Sequence, residues 1–224
     1  MTEKTGNRNF IWLTLALVGM LLAGALTREL PDRRALQILE YSSIFLMLVS
    51  LRSLSNNRGW LIRLISIIGI TLLVVVVKGA VNVYYFEYVY LSLMLVFFMS
   101  SAWLVGHEVL LTGSVDLNKI VGSVALYFLL GLIWAIFYTL LLEASPEAMK
   151  GVESGTWQYN MYIMTYFSFV TLATLGYGDI SPLTPVAQTL VILEAVTGMF
   201  YMAVVVASLI GGLKRSGSAL DSSQ

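Results

Sequence analysis

The sequence has 224 residues, 58% of them hydrophobic and 12% charged, with a mean hydropathy of +0.83 and zero formal net charge. A soluble domain carries about 25% charged residues and about 45–50% apolar ones, so half the usual charge is missing and lipid is the expected solvent. The neutral balance offers nothing to nucleic acid, the lack of cysteine excludes disulfides and thiolate metal sites, and the one histidine, His107, cannot build a histidine-rich metal centre for catalysis.

Crossing a hydrocarbon core of about 30 Å takes about 20 apolar residues in a helix. Six segments qualify: Phe10–Thr27, Leu36–Ser53, Trp60–Gly79, Val83–Val105, Ile120–Leu142 and Val186–Leu213. Lys4 and Arg8 ahead of the first resemble the start of a secretory signal, but its length and the absence of a small-residue cleavage site favour a retained helix. Pro31-Asp32, Ser55-Asn56-Asn57-Arg58-Gly59 and Lys78-Gly79 punctuate the first three connections. His107 to Lys119 is expected along the membrane surface, with Asp116 or Ser114 capping the fifth helix. Arg63 and Lys78 flank the third helix and are expected to snorkel to the interfaces. Glu40 and Glu87, near helix ends, are expected to pair with nearby basic groups or to reach water. Tyr84, Tyr85, Tyr88 and Tyr90 are expected to form an interfacial aromatic belt.

The stretch between the fifth and sixth helices differs. Glu143 to Gln158 is polar, Tyr159 to Ala173 is apolar but too short to span, and Thr174 to Pro185 holds Gly176, Gly178, Pro182 and Pro185. A short helix followed by glycine-rich extended chain is a re-entrant loop, and such backbone survives at membrane depth only when buried in protein or lining an aqueous path. A cation shed of its water needs oxygens in exchange, and a row of inward carbonyls needs the alternating backbone that glycine adopts cheaply. Gly176 and Gly178 alternate as this requires; the plainer reading of two close glycines is a tight turn between helices. The expected fold is all-α, six transmembrane helices with a re-entrant pore helix and filter between helices five and six.

The run Thr171-Leu172-Ala173-Thr174-Leu175-Gly176-Tyr177-Gly178-Asp179 resembles the signature of the potassium channel superfamily, and Leu193-Glu194-Ala195-Val196-Thr197-Gly198 resembles the inner helix of its small prokaryotic members. The resemblance covers about Tyr162 to Gly212. It implies a homotetramer in membrane lipid that conducts K+ passively, without enzyme activity or organic cofactor. Potassium ions would sit at the carbonyls of Thr174, Leu175, Gly176 and Tyr177 and at the Thr174 hydroxyl, with Asp179 closing the filter. It also implies that Tyr166 hydrogen-bonds Asp179 behind the filter and that Gly198 is a gating hinge, though glycine is as common in membrane helices for close packing. Two departures stand out: Leu175 replaces the commoner valine, and Val170 stands where some relatives place a carboxylate. Leu175 leaves a poorly selective monovalent cation channel as the alternative; a potassium transporter subunit would call for several filter-like loops and paired repeats, which this sequence lacks.

The expected organisation is a four-helix sensor-like unit over 1–106, a linker over 107–119, a pore domain over 120–213 and a short tail over 214–224, in a prokaryotic plasma membrane. From Val81 to Gly106 there is no lysine or arginine, so conventional voltage sensing is not expected. With a filter opening outward, both termini are cytoplasmic. Lys4, Arg8, Arg52, Arg58, Arg63, Lys119, Lys214 and Arg215 then lie inside, against Arg28, Arg33, Arg34, Lys78 and Lys150 outside. Glu143, Glu147, Glu153 and Asp179 would make the outer mouth negative, or simply solvate it. Glu194, one turn before Gly198, is an ionisable group at membrane depth: a partner for a hydroxyl such as that of Thr171, a pH-sensitive gating group, or, on the plainer reading, a protonated and satisfied glutamate that only fixes helix packing. Lipid, tension, pH or an unidentified regulatory partner remain as candidate stimuli, beside constitutive opening.

Overall fold

A computed structural model describes residues 10–29, 33–54, 58–80, 85–111, 116–153 and 155–221 of the chain. Lys4, Arg8, Pro31-Asp32, Ser55-Asn56-Asn57, Tyr84 and Ser114 fall outside these residues. The elements run α1 (Phe10–Glu29), α2 (Arg33–Leu54), α3 (Arg58–Ala80), α4 (Tyr85–Leu111), α5 (Leu117–Ala144), a single 3-10 turn (Pro146–Ala148), β1 (Met149–Lys150), α6 (Trp157–Leu172), β2 (Ser181–Pro182) and α7 (Pro185–Asp221). Helix is what an apolar chain adopts in lipid, because it satisfies every backbone donor and acceptor internally. The scattered hydroxyls follow the same rule: those of Thr14, Ser50, Thr71, Ser100, Thr139 and Thr197 each donate to the carbonyl four residues back.

Four stretches among the described residues are long and apolar enough to cross a membrane: Gly59–Val77, Tyr85–Leu110, Leu117–Ala144 and Pro185–Val205. Within α1 and α2 the described apolar stretches are Phe10–Leu26 and Glu40–Leu51. Helix α4 runs on to Leu111, so residues 107–111 of the expected surface stretch continue it. Helix α5 starts at Leu117, where the Asp116 side chain accepts the Lys119 N–H at 2.8 Å and satisfies one of the open donors of the first turn.

Helices gain nothing from hydrophobicity by associating in lipid, so their arrangement rests on close packing and polar contacts. Helix α1 packs along α2 and α5, α3 along α4, and α4 along α5, all within one chain. The Phe10 N–H donates to Asn118 Oδ1 at 3.0 Å, and Phe10, Leu13 and Leu17 are fully buried. At the other end, α2 and α4 reach the start of α6. The Tyr90 and Trp157 rings meet at 5.1 Å between centroids, the Tyr90 hydroxyl shares a 2.5 Å hydrogen bond with Ser43, and Gln158 Nε2 donates to Glu40 Oε1 at 3.1 Å. Tyr90 therefore leaves the expected lipid-facing belt: it is buried, while Tyr85 is exposed. Tyr90 lies about one and a half turns further along α4, which turns it inward. Arg63 lies over its neighbour Trp60, with the guanidinium 5.1 Å from the ring centroid.

Candidate pore loop and its supports

Helix α6 ends at Leu172 because the next residues leave the helical region. Ala173 N–H still reaches the Phe169 carbonyl at 3.0 Å, and Leu175 N–H reaches back to the Val170 carbonyl at 2.9 Å. Beyond it the backbone alternates: Thr174, Gly176 and Gly178 have φ of 59°, 55° and 79°. Two of these are glycines, for which the left-handed region is free, whereas a β-branched threonine there is strained and needs its surroundings to hold it. Residues 173–179 are exposed in the single chain, Leu175 by 59% and Tyr177 by 67%, and both flanks are anchored in buried structure at Leu172 and Ile180.

The loop is braced from outside and behind. The Tyr166 hydroxyl donates to Asp179 Oδ2 at 2.8 Å, and this bond holds the phenol above its ordinary range. Strands β1 and β2 pair antiparallel, Met149 with Pro182 and Lys150 with Ser181, so the chain before α6 is laced to the chain after the loop. Gly151 (φ 85°) rests on the Asp179 carbonyl so closely that a β-carbon there would overlap it. Val170 is buried, and its carbonyl accepts the Leu175 N–H.

Behind α6 lies the residue that the sequence marks most strongly after the loop. Glu194 is fully buried, as are Tyr138 of α5 and Ser168 of α6. The Tyr138 hydroxyl donates to Glu194 Oε2 at 2.6 Å; Ser168 Oγ lies 2.5 Å from Glu194 Oε1 and 2.7 Å from the Gly131 carbonyl oxygen, both hydrogen-bonding distances. Glu194 thus meets Ser168, one turn short of the expected Thr171. The Thr171 carbonyl instead accepts the Thr174 N–H at 2.9 Å. Gly198, one turn further along α7, faces the end of α6: a β-carbon there would come 2.3 Å from the Leu172 carbonyl oxygen. The glycine is what lets α7 touch α6 just before the loop.

Tyr138, Ser168 and Gly151 carried no warning in the sequence. Serine on an apolar helix looks like the hydroxyls that bond their own backbone, and Tyr138 is one aromatic among several on α5. Only the cost of burying a carboxyl at Glu194 hinted that hydroxyl partners must exist.

A match to a known family falls on this same part of the chain. Residues 123–214 match the sequence model of a family described as ion channel. Over 85 residues, 38% of this chain, the sequence is 37% identical to the inward rectifier potassium channel Kirbac3.1 of Paramagnetospirillum magnetotacticum. That alignment spans 26% of the relative's length. No solved structure matches the chain. Over these stretches the chain is similar to known ion channels.

Proposed function

We propose that the chain is one subunit of a homotetrameric channel that conducts K+ passively, with its filter at Thr174-Leu175-Gly176-Tyr177-Gly178-Asp179. The observation that carries this reading is the alternation of left-handed backbone at Thr174, Gly176 and Gly178, at the foot of a short helix between two long apolar ones. That alternation suits a row of carbonyls turned to one side, offered by Thr174, Leu175, Gly176 and Tyr177 in place of an ion's water. One chain supplies one wall of such a cage. The exposed loop and the bare surface of α7 both ask for further copies: 17% of the apolar stretch of α7 is buried within the chain, against 56% of that of α5.

In this reading α1 and α2 complete six spans with α3, α4, α5 and α7, the loop opens outward and both termini are cytoplasmic. The similarity to a potassium channel extends over 38% of this chain, so selectivity and assembly are inferences from the loop's chemistry. A poorly selective monovalent cation pore is the second reading, favoured by Leu175, whose longer side chain changes the packing behind the carbonyls.

The reversal potential of the purified protein in lipid bilayers, with K+ on one side and Na+ on the other, tests the two. A value near the potassium equilibrium potential is expected. A robust current reversing near zero would replace the selective reading with the non-selective one.

A further inference from the structure

Hydrogens can be counted around Ser168. Its oxygen lies 2.5 Å from Glu194 Oε1 and 2.7 Å from the Gly131 carbonyl oxygen. Oxygens this close need a hydrogen between them, since 2.5–3.0 Å is the range of an O–H···O bond. Two contacts therefore need two hydrogens. A serine hydroxyl has one to give, a backbone carbonyl has none, and an ionised carboxylate only accepts. The second hydrogen has one available source, the carboxyl of Glu194. Its other oxygen, Oε2, takes the hydrogen of Tyr138 at 2.6 Å, so that contact is supplied.

We infer that Glu194 is a neutral carboxylic acid that donates to Ser168, forming a directed chain from Tyr138 O–H to Glu194 Oε2, from Glu194 Oε1–H to Ser168 Oγ, and from Ser168 O–H to the Gly131 carbonyl. The chain leaves α5 at Tyr138, crosses α7 and α6, and returns to α5 at Gly131. Every hydrogen in it has an acceptor and every contact has a hydrogen. An ionised Glu194 would leave Ser168 facing two acceptors with one hydrogen, in a site where all three side chains are fully buried. Glu194 is on this account a positioning residue. It holds the middle of α6 between α5 and α7, and it places no fixed charge behind the loop.

The test is infrared spectroscopy of the full chain in lipid at neutral pH, comparing the native protein with Glu194→Gln. A protonated carboxyl has a carbonyl band clear of the amide and carboxylate bands. The native protein is expected to show one such band that Glu194→Gln lacks. Ser168→Ala and Tyr138→Phe, which keep the glutamate, are expected to move that band to higher frequency by removing one hydrogen bond each. A native spectrum with no such band, or a band indifferent to both partner substitutions, overturns the inference. The partner variants carry the test alone if Glu194→Gln fails to assemble. Because a glutamine amide also donates at that position and adds no charge, unitary current in Glu194→Gln is expected within two-fold of native. A protein that shows the band and its shifts but passes no current under any of the candidate stimuli refutes the proposed conduction and leaves the hydrogen-bonded chain standing.

Discussion

At Gly198 the choice between hinge and close packing turns on one distance. A methyl group there would lie 2.3 Å from the Leu172 carbonyl oxygen, and backbone at the end of a helix has little room to retreat. Overpacking of this kind costs about 1–3 kcal/mol. Gly198→Ala is therefore expected to lower the melting temperature of the assembled protein in detergent, as well as alter opening. A hinge that is not a contact would change opening with melting untouched, and that result would remove the packing role. The glycine was legible in the sequence, as was the non-helical stretch before α7, because Thr174 to Pro185 combine Gly176, Gly178, Pro182 and Pro185, which no spanning helix tolerates together. What Gly198 touches was not legible, since a helix presents all its faces alike until a neighbour is placed.

Between elements, the contact that matters most for control is the one joining α2 and α4 to the start of α6. Gln158 bonds Glu40, and Trp157 packs on Tyr90, which is tied to Ser43. Helices α2 and α4 thus hold the first turn of α6, and on the proposed reading a stimulus acting on them has a route to the loop through α6. A hydrogen bond to a charged group contributes about 1.5–3 kcal/mol when well made, less where water reaches it. A double-mutant cycle with Glu40→Ala and Gln158→Ala is expected to give a coupling of about 1 kcal/mol in the opening equilibrium. Strict additivity would show that the pair does not transmit. None of this was visible beforehand. The faces of α1 to α4 that meet lipid and those that meet protein are equally apolar, so the periodicity that reveals the buried side of a soluble helix is absent. Tyr90 read as part of an aromatic belt for the same reason.

For the molecule as a whole, the charge distribution limits what can drive it. Helix α4 contains no lysine or arginine from Tyr85 to Leu111. Each elementary charge moved across the membrane supplies about 2.3 kcal/mol per 100 mV, and steep gating needs several per subunit. The conductance of the purified protein is expected to vary little with voltage over a 200 mV range (twice the 100 mV reference step) once the driving force is divided out. A steep sigmoid would mean that charges outside α4 move through the field.

The attachment of α1 has a consequence for modularity. Its first residue is bonded to Asn118, its buried face covers α5, and Trp157 at the head of α6 leans on α4. A core of α5, α6 and α7 cut from residues 117–221 would expose the face of α5 that α1 covers, with the start of α6 missing its contact with α4. The peripheral helices are therefore not a detachable accessory, and swapping them for those of another protein would require re-cutting the face of α5 along with them.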